Sequence, residues 1–132
     1  MTLPQYPFIF SKSLSCLLPQ GQSFHLPKSS APNTINYEVE LGVMLKRGGA
    51  LGSQWQHAIG GYFLLLDFTD TSLLKPGNPW YLSKAQDGFL VLSDLIPAEA
   101  IADPHKVELE LRLNDKTRQK DVTGNMNFKI WE

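Results

Sequence analysis

Between Ile35 and Leu45 every second residue is apolar: Tyr37, Val39, Leu41, Val43 and Leu45. Successive side chains of an extended chain point to opposite faces, so this spacing predicts a strand with one apolar face. Gly60–Phe68 reads "GGYFLLLDF". That short apolar run predicts a second strand, buried on both faces and ending at Asp67. Alternation returns in "VELELRLN", where Val107, Leu109, Leu111 and Leu113 share a side. "NDKTRQ" then predicts a turn into a partner strand. "PFIF" predicts a short strand near the start, in a segment whose prolines at 4, 7, 19 and 27 break any long helix. "SSAPN" is expected to be a loop and "KRGGALGSQ" a turn, with glycines supplying backbone freedom. "QWQHAI" and "IPAEAI" predict helical turns, the second with Pro97 near its start. "KPGNPW" is a tight loop in which Pro79 keeps Asn78 out of the helical region. "YLSKAQDGFLVLS" fits neither period, and "MNFKIWE" reads as the opening of a strand. The pattern describes a mainly β, β-rich α+β fold with short helices over residues 1–132, as one domain.

Composition narrows the function. The chain has 132 residues, enough for one ordinary domain, and its formal charge of −1 gives no argument for nucleic acid or an anionic membrane surface. Its longest apolar runs, such as Tyr62–Leu66, are too short to span a bilayer as a helix. Cys16 stands alone, which excludes an internal disulfide framework and fits a reducing compartment. The first acidic residue is Glu38, preceded by only Lys12 and Lys28 and by many serines. An organelle transit peptide is the alternative for this segment, but such peptides are Arg-rich and amphipathic.

Candidate chemistry lies with the carboxylates. Glu38 and Glu40 share one strand face, followed there by Gly42 and by no nearby cation, since Lys46 and Arg47 come only at the strand's end. The sequence holds its own control: Glu108 and Glu110 repeat the spacing, yet Arg112 follows them on the same face. A solvated strand face is therefore the default for such a pair. Asp67 changes the balance, because an unpaired charge at the end of an apolar strand is costly. If the three carboxylates converge, they form an all-oxygen site suited to Mg²⁺ or Ca²⁺. Solvated or ion-paired carboxylates remain the alternative. His25, His57 and His105 read as surface or loop residues, and Trp55, Trp80 and Trp131 as fillers of core or interface space. Cys16 has no catalytic partner motif. Neither a G-x-S-x-G elbow nor a phosphate-binding glycine loop is present.

Five segments in order, "NYEVELGVMLKRGG", "GGYFLLLDFTD", "NPWYLSKAQD", "DPHKVELELRLND" and "TRQKDVTGNMNFKI", resemble the fumarylacetoacetate hydrolase family. Within it the sequence is similar to the acylpyruvase and oxaloacetate decarboxylase branch, over about residues 7–130. The resemblance implies a partial mixed β-roll of that family. It implies Mg²⁺ or Mn²⁺ held by Glu38, Glu40 and Asp67, with Lys84 beside the metal as a catalytic residue. Gln119 matches a glutamine common in the branch and is a candidate substrate-binding residue, a polar strand face being the alternative. Lys12 stands where the family often carries a lysine near the active-site mouth. The implied substrate is a small 2-oxo acid and the implied assembly a homodimer, with no nucleic acid and no membrane, in mitochondria or cytoplasm. The family's His–Glu pair, on an N-Y-x-x-H-x-x-E motif upstream of the "PFIF"-like segment, has no counterpart in this sequence. Neither has its T-G-T-P-x-G loop after "FKI", and Thr71 stands where the family has an arginine.

Three functions follow as expectations. The first is Mg²⁺-dependent hydrolysis of acylpyruvates, decarboxylation of oxaloacetate, or both. The second is a truncated, catalytically inactive metal-binding relative that acts by associating with a partner chain. The third is a β-rich interaction module whose glutamates face water.

Overall fold

The structure, a computed structural model, describes residues 4–28, 34–48 and 52–132. Its strands and single α-helical turn run β1 (Leu17–Pro19), β2 (Ile35–Leu45), β3 (Ile59–Asp70), α1 (Tyr81–Lys84), β4 (Leu90–Leu92), β5 (Ile96–Pro97), β6 (Glu108–Leu113) and β7 (Lys116–Val122). Short 3-10 turns lie between them, so the fold is mainly β as the pattern implies. β2 and the β6–β7 hairpin stand where alternation put them. "QWQHAI" falls in a 3-10 segment, Gly52–Ala58, and "IPAEAI" divides into β5 and the 3-10 turn Ala98–Ala100. "SSAPN", and Gly49–Leu51 within the expected glycine-rich turn, lie outside the described residues.

Three expectations need correction. "PFIF" is extended without strand pairing, and the first strand begins at Leu17. "MNFKIWE" forms turns rather than a strand. β3 does not end at Asp67 but continues to Asp70, where the Asp70 carboxylate accepts from the Ser72 amide and starts a 3-10 turn. The apolar run gave no sign of the polar continuation Thr69–Asp70, in which Asp70 is held by its bonds to Ser72 while the buried Thr69 hydroxyl accepts and donates none. β3 is also not covered throughout, since Leu64 is exposed.

The chain forms two compact units. The first holds residues 41–63 and 95–132 with the described residues 4–8, and the second holds residues 9–40 and 64–94. In the first unit Trp55, Ile59 and Tyr62 form a buried cluster, packed by Leu41, Val43, Ile96, Ala98, Ile101 and Ile130. Gly61 and Tyr62 of β3 pair antiparallel with Pro97 and Ile96. In the β6–β7 hairpin Asn114 and Asp115 have φ of 50° and 62°. Two consecutive positive φ values are what a two-residue type I′ turn demands, and Asn and Asp tolerate them best after glycine. A register irregularity between Leu111 and Arg112 leaves Arg118 unmatched opposite them.

Glu110 behaves as the sequence control suggests. Its carboxylate accepts from Arg112 Nε at 2.8 Å and from Thr117 Oγ1 at 2.7 Å. The Arg112 hydrogen bond first, then that of Thr117, lowers its pKa from 4.5 to about 2. A depressed carboxylate contributes stability above its unfolded value and loses it as pH falls through the folded one. Glu110→Gln should therefore flatten the fall in melting temperature between pH 4.5 and about 2. Thermal melts across that range check it, and a slope equal to the parent's would refute it.

In the second unit β1 pairs parallel with β4, and β4 pairs antiparallel with β3. The strand order is β1–β4–β3–β2. Phe24, Phe68 and Phe89 pack their rings together, with Phe24 stacked on Phe68 at 4.3 Å, and Phe89 is fully buried. Gly88 precedes Phe89 with φ of 76°, a turn that lets the chain enter β4 against Phe24.

Candidate metal centre

The second unit brings Glu38, Glu40 and Asp67 together. One carboxylate oxygen from each lies within 4.8 Å of the others. Sequence placement explains the geometry. Val39 is buried, so Glu38 and Glu40 emerge together on the opposite face of β2. Asp67 comes from β3, the next strand in order, where it pairs in register with Leu90 of β4. Asp67 is buried, whereas both glutamates keep accessible surface.

Lys84 reaches the group from α1. "KPGN" makes a turn, with Asn78 N–H donating to Lys75 O at 3.0 Å and Gly77 at φ of 87°. Pro followed by Gly at the two central positions is the type II signature. Pro79 and Trp80 then start a single helical turn, tied by Ser83 Oγ to Trp80 O at 2.9 Å. That turn buries Lys84 and carries its Nζ to Asp67 Oδ2 at 2.5 Å and Glu38 Oε2 at 3.2 Å. The Phe10 ring lies 5.2 Å from the ammonium, close enough for cation–π attraction.

Lys12 is the second cation. Its Nζ donates to the carbonyls of Lys84 at 2.6 Å, Phe89 at 2.8 Å and Phe68 at 3.3 Å, and lies 2.5 Å from Asp67 Oδ1. Its side chain is 10% exposed, so it is not the solvated lysine of the alternative reading. Three carboxylates against two ammonium groups leave a formal charge of −1 in the group.

Titration follows these neighbours. Burial would lower the Lys84 pKa, but hydrogen bonding and charge from Asp67, then Glu38, more than offset it and hold the pKa above its usual value. Glu40 is raised, first by burial and then by the charges of Asp67 and Glu38, with Lys84 and Lys12 opposing. Glu40 still presents some surface to solvent, so partial burial and the like charges beside it act together.

The residues fit a hard divalent cation. The donor set is all oxygen, and Asp67 Oδ1 is buried with no neutral hydrogen-bond donor on it. Its neighbour Lys12 supplies charge while its N–H bonds go to carbonyls. The ammonium at 2.5 Å engages one lone pair of that oxygen, and a carboxylate oxygen has a second for a cation.

The other candidates lie elsewhere. Gln119 belongs to the first unit, half-buried on β7 opposite Leu111, and is not part of the carboxylate group. His25 and His57 are exposed. His105 packs between Trp55 and Trp131, with ring centroids at 5.5 and 4.8 Å, and its Nε2 accepts from the Ile130 amide at 3.3 Å. These rings line a concavity of about 800 Å³ in the first unit that contains no member of the carboxylate group. Thr71, standing where an arginine was expected, donates through N and Oγ1 to Thr34 O, each at 2.8 Å. Lys12 could be read as more than a surface lysine from one signal, its isolation within the apolar "PFIFSKSLSCLL". Phe10 had no such signal.

Residues 1–132 match the model of the fumarylacetoacetate (FAA) hydrolase C-terminal family. The chain belongs to this family. It is 38% identical over 138 residues to the mitochondrial oxaloacetate tautomerase oaa1 of Schizosaccharomyces pombe, covering 96% of this chain and 61% of that protein. Against the mitochondrial oxaloacetate tautomerase FAHD1 of Homo sapiens it is 34% identical over 130 residues, covering 94% and 58%. Its fold is similar to that of fumarylpyruvate hydrolase from Pseudomonas aeruginosa, solved in complex with Mn²⁺ and pyruvate. That TM-score is 0.75 at 27% identity, over 86% of this chain and 52% of the other. The fumarylacetoacetate hydrolase family chain described here thus spans about 60% of the length of the curated relatives it matches. Those relatives are enzymes, which places this chain in an enzyme family.

Proposed function

We propose that the chain binds Mg²⁺ or Mn²⁺ through Glu38, Glu40 and Asp67 and promotes enolisation of a small 2-oxo acid, oxaloacetate foremost. The convergence of three carboxylates, with Asp67 buried among them, carries the reading. The names of the oxaloacetate tautomerases support the substrate, and the pyruvate complex supports the 2-oxo acid class. The mitochondrial names of the relatives support that compartment.

A divalent cation at this site supplies Lewis-acid polarisation of the keto and carboxylate oxygens of a 2-oxo acid. Lys84 holds a proton and a positive charge at the edge of the group, where enolate oxyanion character develops. Its short helical turn fixes that charge in advance, so little reorganisation accompanies the step. Tautomerisation passes the carbon-3 proton to water and delivers a proton to the keto oxygen; Lys84 holds one at the edge of the group and is reprotonated from solvent. Acylpyruvate hydrolysis demands more, since a base must activate water. The three histidines stand outside the carboxylate group, so hydrolysis is the less supported of the two activities. Decarboxylation shares the enolate and stands between them.

Calorimetric titration with Mn²⁺ and Mg²⁺, with and without oxalate as an enolate mimic, tests the site, and the absorbance of the oxaloacetate enol tests turnover. Saturable binding tightened by oxalate and lost in Glu40→Ala is expected, with faster enol–keto exchange in the parent. Binding without turnover would favour the inactive relative that works through a partner chain. No heat in a folded chain would sink the metal reading and leave the interaction module.

A further inference from the structure

We propose that Lys12 is a positioning residue whose bonds to three carbonyls hold the backbone carrying Asp67 and Lys84 in the arrangement a bound cation needs. The inference rests on the metal reading above and names a residue that shapes that site. An ammonium group has three N–H donors. Lys12 directs them to the carbonyls of Phe68, Lys84 and Phe89. These belong to the residue after Asp67 on β3, the last residue of α1, and the residue before β4. One side chain therefore ties together the backbone segments that carry Asp67 and Lys84. Its ammonium also lies 2.5 Å from Asp67 Oδ1, an ion-pair contact on the ligand itself.

Lys84 differs in kind. Both of its bonds end on carboxylate oxygens of the candidate ligands, Glu38 Oε2 and Asp67 Oδ2. A cation entering the group competes with Lys84 for those oxygens and leaves the carbonyl bonds of Lys12 intact. Lys12 and Lys84 thus form a charge-matched pair for experiment. If charge alone mattered, removing either ammonium would strengthen cation binding, because each repels the incoming ion. Positioning predicts the opposite sign for Lys12.

The test is Mn²⁺ titration of the full chain, its Lys12→Met, Lys12→Arg and Lys84→Met variants, with electron paramagnetic resonance of the bound ion. Lys12→Met should weaken Mn²⁺ binding about tenfold or more, the usual scale for losing a group that orients a metal ligand. It should also broaden the Mn²⁺ spectrum, a change that a general loss of stability does not produce. Lys84→Met should keep parental affinity or exceed it. Lys12→Arg, which keeps the charge and part of the carbonyl bonding, should fall between Lys12→Met and the parent. Equal affinities in Lys12→Met and Lys84→Met would overturn the proposal. If Lys12→Met does not fold by circular dichroism, parental affinity in Lys12→Arg would overturn it. A parent chain that binds no Mn²⁺ would instead remove the metal reading and this inference with it, so the two failures are distinguishable.

Discussion

Asp67→Asn should melt about 10 °C below the parent chain and take up no Mn²⁺ in titration. The side chain is nearly isosteric, so packing is preserved and only the charge is removed. Asp67 lies between two ammonium groups, each 2.5 Å from one of its oxygens, and its side chain is 5% exposed. Removing one partner of a buried ion pair costs about 3–5 kcal/mol, because the remaining charge is left in a poor medium. The asparagine oxygen still accepts one hydrogen bond, which favours the lower end, about 3 kcal/mol. In a chain of this size each kcal/mol moves the midpoint by about 3–4 °C. Thermal melts of the metal-free protein and calorimetry check the two halves separately. An unchanged midpoint would mean that Lys12 and Lys84 find water once Asp67 is neutral.

The second large effect is expected far along the same strand. A Cβ added at Gly61 would lie 2.7 Å from Ile96 O and 2.8 Å from Leu95 Cδ1. The first is backbone held by the β3–β5 pairing and cannot swing aside. Gly61→Ala should cost about 2–3 kcal/mol, the usual scale of overpacking. Gly60→Ala is the control. Its Cβ would meet Met44 Cε at 3.0 Å, the end of a flexible side chain, and Lys46 Cβ at 3.3 Å, which the backbone fixes but which needs to give by only a few tenths of an ångström. That variant should lose less than about 1 kcal/mol, since methionine repacks readily. Urea melts of the two variants decide the matter, and equal losses would refute the backbone argument.

The sequence made much of this legible where one force dominates. Alternation placed β2 and β6 because each strand has one apolar and one polar face. The i, i+2 spacing put Glu38 and Glu40 on a common face for the same reason. Asp67 was identifiable as a polar residue at the end of an apolar run, though not as a residue inside a longer strand. What escaped was structure that hydrophobicity does not make. Asp70 and Thr69 extend β3 while buried, and no periodicity announces them. "PFIF" has strand-forming residues, yet Tyr6, Phe8 and Ile9 are exposed and the segment has no strand pairing. "YLSKAQDGFLVLS" resisted reading because one helical turn and a three-residue strand are each shorter than the period that would reveal them. The convergence of Lys12, Lys84 and the carboxylates was visible only through family resemblance, since no local rule connects segments so far apart.

That separation has a kinetic meaning. The hydrogen bonds of Lys12 join residues 56, 72 and 77 positions apart, and the Lys84–Glu38 bond spans 46. Contacts this distant form only after long stretches of chain have been closed, which carries a large entropic cost. The polar group is therefore expected to close late, alongside the β1–β4 pairing, whose partners Leu17 and Leu90 lie as far apart in sequence. Interactions formed after the transition state leave the rate of folding nearly unchanged and slow unfolding instead. On that order of events the lysine–carboxylate cluster is expected to act as a latch on the finished unit, governing how long the native state persists rather than how quickly it is reached.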